Sequence, residues 1–162
     1  MRERRTHPAA LALLAALLFI GCSRAVAPAG AAPHHHQHHP PHGGTAIELG
    51  NEEYHIELVF DETSGTLQAY VLDAEMENFV RSPVPSIEIS ATVKGVGRSL
   101  VLAAVANPET GETVGDTSLF EAPAGWVKSS GPFDAVLNSI TIRGSTFTHV
   151  RFNYPKGNDT DG

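Results

Sequence analysis

Tyr54-His55-Ile56-Glu57-Leu58-Val59-Phe60, then Asp61-Glu62-Thr63-Ser64-Gly65, then Thr66-Leu67-Gln68-Ala69-Tyr70-Val71-Leu72 is the stretch whose reading decides the fold. Its first run places Tyr54, Ile56, Leu58 and Phe60 on one side and His55, Glu57 and Val59 on the other, the period of two of a strand with one face buried. The five polar residues that follow end on glycine and read as a turn. The third run returns as a second strand, so the whole segment predicts a β-hairpin.

The same pattern continues downstream. Ser86-Ile87-Glu88-Ile89-Ser90-Ala91-Thr92-Val93-Lys94 alternates with Ile87, Ile89, Ala91 and Val93 inward. Gly95-Val96-Gly97 turns the chain into another apolar run at residues 98–105, and Asn107-Pro108-Glu109-Thr110-Gly111 is a further turn. Ser139-Ile140-Thr141-Ile142-Arg143 and residues 146–154 flank Gly144-Ser145, with Val150, Phe152 and Tyr154 sharing a face. No segment sustains a helical period, although residues 73–79 and 131–137 each have room for one helical turn. Several short strands punctuated by turn signals predict an all-β fold, a single β-sandwich of immunoglobulin-like or related Greek-key topology, or a small barrel. Trp126, after Ala122-Pro123-Ala124-Gly125, reads as a plug over one end of the core rather than a binding platform.

A chain of 162 residues holds one such domain with tails. The domain is expected over residues 45–155, with a polar, disordered tail over residues 156–162. From Thr45 onward there are 17 acidic against seven basic side chains, a formal charge of −10. That balance excludes a nucleic-acid binder, which needs a clustered basic surface, and a domain docked face-on to anionic lipid. One cysteine excludes an internal disulfide and a Cys-x-x-Cys site.

Residues 1–44 are different in kind. Arg2, Arg4 and Arg5 precede twelve unbroken apolar residues, 9–20. A membrane span needs about 20 such residues, so the run is too short to cross but fits the hydrophobic core of a signal peptide over residues 1–21. Gly21-Cys22 at its end resembles the bacterial lipobox, although Phe19 stands where that motif usually has Leu, Val or Ile. The resemblance implies acylation of Cys22 and a lipid-bilayer anchor in the bacterial cell envelope, periplasmic or outer-membrane. The other reading is ordinary secretion, with Cys22 removed.

Residues 22–44 read as a lipidated cysteine followed by a disordered Pro/His-rich tether, with a flexible-chain span of about 26 Å. It carries His34, His35, His36, His38, His39 and His42, six histidines in nine positions. Imidazole titrates near pH 6.5, so rings in such a tract are largely neutral at pH 7 and can ligate Zn, Cu or Ni. A flexible tract can bring several rings to one ion, and the Irving–Williams order then favours Cu(II). Two other readings stand beside this one: a low-complexity linker without a role for metal, and a pH sensor.

His42-Gly43-Gly44-Thr45, Glu48-Leu49-Gly50, Tyr54-His55-Ile56-Glu57-Leu58-Val59, Ala69-Tyr70-Val71-Leu72-Asp73, Ala106-Asn107-Pro108, residues 111–118 and Ile142-Arg143-Gly144 together resemble a group of small bacterial envelope lipoproteins associated with heavy-metal efflux systems. The likeness spans most of residues 42–157 and rests on turn and strand residues. It implies envelope metal-efflux components as partners and assigns no catalytic residue.

The domain itself lacks the Gly-x-Ser-x-Gly, phosphate-loop, His-Glu-x-x-His and dinucleotide motifs, so no enzyme and no obligatory cofactor is expected. His55 and His149 read as solvent-facing, with the sharper alternative that either joins His42 in a closed site where the tether meets the first strand. Met76 reads as packing, with Cu(I) ligation as the alternative. Glu52-Glu53 and Glu109/Glu112 fit no calcium loop and read as solvated acidic surface. Two functions stay open: a metal-binding lipoprotein, and a non-catalytic β-sandwich that docks on another envelope protein through the face of His55, Glu57 and Val59, the His tract being incidental.

Overall fold

The computed structural model describes residues 39–158. They build eight strands: β1 (Thr45–Leu49), β2 (Tyr54–Asp61), β3 (Thr66–Asp73), β4 (Ser86–Val93), β5 (Val96–Ala104), β6 (Leu119–Pro123), β7 (Phe133–Ile142) and β8 (Ser145–Tyr154). A short 3₁₀ helix, Gly125–Ser129, joins β6 to β7. All strand pairs are antiparallel and lie in one sheet of order β1-β2-β3-β6-β5-β4-β7-β8. The fold is all-β, and β7 returning beside β4 in the order β7-β4-β5-β6 is a Greek key. The sheet coils until its two edges, β1 and β8, lie near one another.

Period-two alternation fills the inside. β4 is the clearest case, with Ile87, Ile89, Ala91 and Val93 buried and every intervening side chain exposed. Ile47, Ile56, Leu58, Phe120, Leu137 and Ile142 meet these in one contiguous core. Each large aliphatic side chain so buried contributes about 1.5–3 kcal/mol. The β2–β3 hairpin pairs Tyr54 with Asp73 and Asp61 with Thr66, as the sequence predicts. Trp126 packs against the core from the 3₁₀ helix, 5.3 Å from Phe133 between ring centroids, with the Arg98 guanidinium 5.2 Å above it.

Three segments differ from their sequence reading. Residues 131–137 form no helical turn; β7 starts at Phe133, and Phe133, Ala135 and Leu137 point inward against β4. Pairing with a strong central strand overrides the weak local signal. β6 is a strand over residues to which the sequence reading assigned no element; Phe120 and Ala122 face the core, and Pro123, which has no N–H to give, ends it. Residues 73–79 also form no helix. The Asp73 carboxylate accepts from the backbone N–H groups of Glu77 and Asn78, at 3.0 and 3.1 Å, and from Asn78 Nδ2 at 2.7 Å. The resulting turn brings Phe79 back to pair with Leu72 on the outer side of β3.

The segment after β8 closes the barrel-like coil. Asn153 and Gly157 exchange backbone hydrogen bonds, and Gly157 lies against the Ala46 carbonyl, where a Cβ would collide. Asn158 then presents its amide to the free edge of β1: Glu48 N–H donates to Oδ1 at 2.8 Å and Nδ2 donates to the Glu48 carbonyl at 3.0 Å. One side chain thus does what a neighbouring strand's peptide would do, and it blocks the edge. Residues 156–158, expected from sequence as the start of a polar, disordered tail, are part of this closure.

The long connection from β5 to β6 is held by Glu112, whose carboxylate accepts from Ser118 N–H and Oγ and from Thr110 Oγ1, at 2.8, 2.6 and 2.7 Å. Burial acts to raise its pKa, but these hydrogen bonds and the Arg81 guanidinium outweigh it and hold the group below the usual carboxylate range. Glu109, by contrast, is exposed.

Two outcomes follow from these contacts. Asn158→Ala removes both bonds to the β1 edge and should lower stability by about 1–2 kcal/mol, read as a reduced urea midpoint. A carboxylate with a depressed pKa stabilises the fold above its unfolded-state value and loses that contribution as pH falls through its folded value. Glu112→Gln should therefore be less stable than wild type at neutral pH, with the gap closing as pH falls below the usual carboxylate range, in urea midpoints measured across it.

Candidate functional site

β2 carries two buried polar side chains on the face that points away from the core. His55 is 2% exposed and Glu57 is 0% exposed. Both were expected in solvent. The turn ahead of β1 lies over Glu57, and Leu72, the cross-strand partner of His55 on the same side of the hairpin, is buried with it, as is Met76, both outside the central core cluster.

The turn is built by residues 40–43. The Gly43 N–H donates to the Pro40 carbonyl at 2.9 Å, with Pro41 in the position where its fixed φ suits a tight turn. Gly44 then runs flat against β2; a Cβ there would strike the Leu58 carbonyl and come within 2.9 Å of Glu57 Cγ and Val59 Cγ2. Only the absence of a side chain allows this approach.

The close approach delivers three donors to Glu57. The backbone N–H groups of His42 and Gly44 both donate to Oε1 at 2.8 Å. His42 Nδ1 lies 2.8 Å from Oε2. A carboxylate only accepts, so Nδ1 carries the hydrogen in this contact and donates it. The imidazole also stacks on Tyr70, with 4.1 Å between centroids and 18° between planes, and Phe79 tilts against both at 6.0 and 5.9 Å. Tyr70 faces Glu57 directly across β2 and β3. Burial, then the charges of Glu121 and Glu57, raise its phenol above the usual tyrosine value, and it donates to Gln68 Oε1 at 3.1 Å. The His42 ring is thereby fixed in plane and in rotation while its side chain stays 36% exposed.

The other expected ligands are placed as follows. His39 is exposed, just ahead of the turn. His55 is one outward position along β2 from Glu57, and its Nδ1 is 3.3 Å from the Asp73 carbonyl. It borders a cleft of about 220 Å³ shared with Pro40, Gly44, Glu48, Glu52 and Lys156. His149 is exposed on β8 at φ 55°. Met76 is 3% exposed, which fits its reading as packing. Cys22, His34, His35, His36 and His38, with the expected signal peptide, lie outside the described residues. Among the described residues no three His, Cys, Asp or Glu side chains gather as a ligand set for a metal ion. Glu57 was missed as a partner of His42, although a small-residue pair before a first strand, facing an outward carboxylate on the next strand, is the signal that carries it.

The chain matches no protein-family model, no curated protein and no solved structure.

Glu57→Ala would leave three donors at this site without their acceptor. It should cost about 2–4 kcal/mol, and Gly44→Ala should loosen the same contact by forcing the backbone off β2. Urea denaturation reads the first effect. Faster proteolysis at residues 39–44, with β2 to β8 still protected, reads the release of the turn in both variants.

Proposed function

We propose that this chain is a bacterial envelope lipoprotein, acylated at Cys22, that binds divalent transition-metal ions through His34, His35, His36, His38, His39 and His42. It would buffer Cu, Zn or Ni ions, or hand them over near an efflux system, with the β domain as a non-catalytic carrier. The observation that carries the reading is the density of imidazoles in a segment whose last histidine is seated on the domain by a buried carboxylate. The basic and apolar residues ahead of Cys22 support export, and the acidic domain suits a periplasmic or outer-membrane setting better than contact with anionic lipid. The docking-module reading has less support, since the face on which it was drawn has His55 and Glu57 covered.

Removing the tract by truncation to Thr45 would also strip Glu57 of its donors, so substitution is the cleaner test. The chain with His34, His35, His36, His38 and His39 all changed to alanine should keep its urea midpoint and lose micromolar binding of Cu(II), Ni(II) and Zn(II) in calorimetric titration. Unchanged binding would move the site into the domain, and no binding by the wild-type chain would end the metal reading.

A further inference from the structure

We propose that His42 is the fixed ligand of this metal-binding segment, coordinating the ion through Nε2 while Nδ1–H stays bonded to Glu57. The inference rests on the proposed function, in which the remaining ligands are the other imidazoles of the tract. It adds which ligand is anchored, through which nitrogen, and what holds it.

A metal-binding imidazole needs one bare ring nitrogen facing outward. The usual device is a carboxylate that takes the hydrogen of the other nitrogen, which sets the tautomer, aims the ring and raises its basicity. Glu57 and His42 have that arrangement. Oε2 lies 2.8 Å from Nδ1, the carboxylate has no exposed surface, and Oε1 is occupied by two backbone N–H groups, so the carboxylate cannot swing away. Tyr70 holds the ring plane by stacking. Among the described residues no protein group bonds Nε2.

As a latch the ring supplies a third donor to Glu57 and a stack against Tyr70. The two backbone donors already tie the turn to Glu57. Beyond the donor and the stack, histidine carries a second nitrogen, held outside the contact on a side chain that remains partly exposed. The ion it suits is a divalent first-row metal of the zinc–copper–nickel group, for which neutral imidazole is a good ligand. A ligand already ordered in the free protein lowers the entropy cost of assembling the remainder around the ion. His39, exposed and separated from His42 only by Pro40-Pro41, is the next imidazole along the chain.

The chemistry of the two residues defines the test. His42→Asn keeps a donor where Nδ1 was and deletes Nε2. Glu57→Gln keeps an acceptor for the backbone but turns an N–H₂ toward Nδ1, which moves the ring hydrogen to Nε2 and blocks it. In calorimetric titration of the full-length chain with Zn(II), each should weaken binding by about 10–100-fold. The loss should exceed that from alanine at any one of His34, His35, His36, His38 or His39. His42→Asn loses the stack on Tyr70, so it should lower the urea midpoint modestly while leaving the domain folded, and it stands alone should Glu57→Gln fail to fold. Nitrogen-15 spectra of the histidine rings should show His42 Nε2 shifting on zinc addition while Nδ1 remains protonated.

His42→Asn binding zinc like wild type, while the tract substitutions weaken it, would make His42 a latch and overturn this inference with the proposed function intact. Zinc appearing on Nδ1 would overturn it as well. No zinc binding by the wild-type chain would remove both.

Discussion

A carboxylate with no exposed surface must be matched donor for donor, and Glu57 is the place where this fold meets that demand. It points away from the core, where water would ordinarily solvate it. Its three donors come from a turn that belongs to no strand. That one requirement decides how the chain reaches β1, why Gly44 has no side chain, and why the outer side of the β2–β3 hairpin is covered. Without a segment lying over β2, Glu57, His55 and Leu72 would form a polar and apolar strip in solvent.

The rest of the architecture is a sheet solving its edge problem. Eight antiparallel strands bring β1 and β8 close together, and the gap is bridged by the Asn158 side chain and by a hydrogen bond from Thr45 Oγ1 to the Pro155 carbonyl, at 3.2 Å. Inside, aliphatic side chains of modest size fill the coil, with Phe120 as a fully buried aromatic anchor on β6. The outer surface is kept acidic and hydrogen-bonded locally: donors from Ser64 and Thr63 hold the Asp61 carboxylate below its ordinary range, and at Asp73 burial acts to raise the pKa but the Asn78 and Glu77 donors together outweigh it.

Much of this could be read from residue order. The Tyr54–Asp61 and Thr66–Asp73 hairpin and the Ser86–Val93 alternation announce themselves because each side chain's exposure follows from its neighbours two positions away. β6 and the first half of β7 did not, since their strand state comes from partners distant in sequence, Phe120 with Ala69 and Ala135 with Ala91. The candidate site was half legible. His42 stood out as the histidine nearest the sheet, and a closed site there was one of the readings. Glu57 was assigned to solvent because alternation says which side of a strand a residue occupies but not what lies over that side. The turn that covers it is specified by Pro41, Gly43 and Gly44, residues that record permission for a close approach rather than its destination.

The closing contacts join residues that are far apart along the chain. Glu48 and Asn158, like Thr45 and Pro155, are separated by 110 positions. A sheet whose first strand is completed only by its last described segment cannot shut while the chain is still emerging in N-to-C order, and such long-range pairing is intrinsically slow. The first strand must therefore wait, open-edged, until the whole domain has appeared.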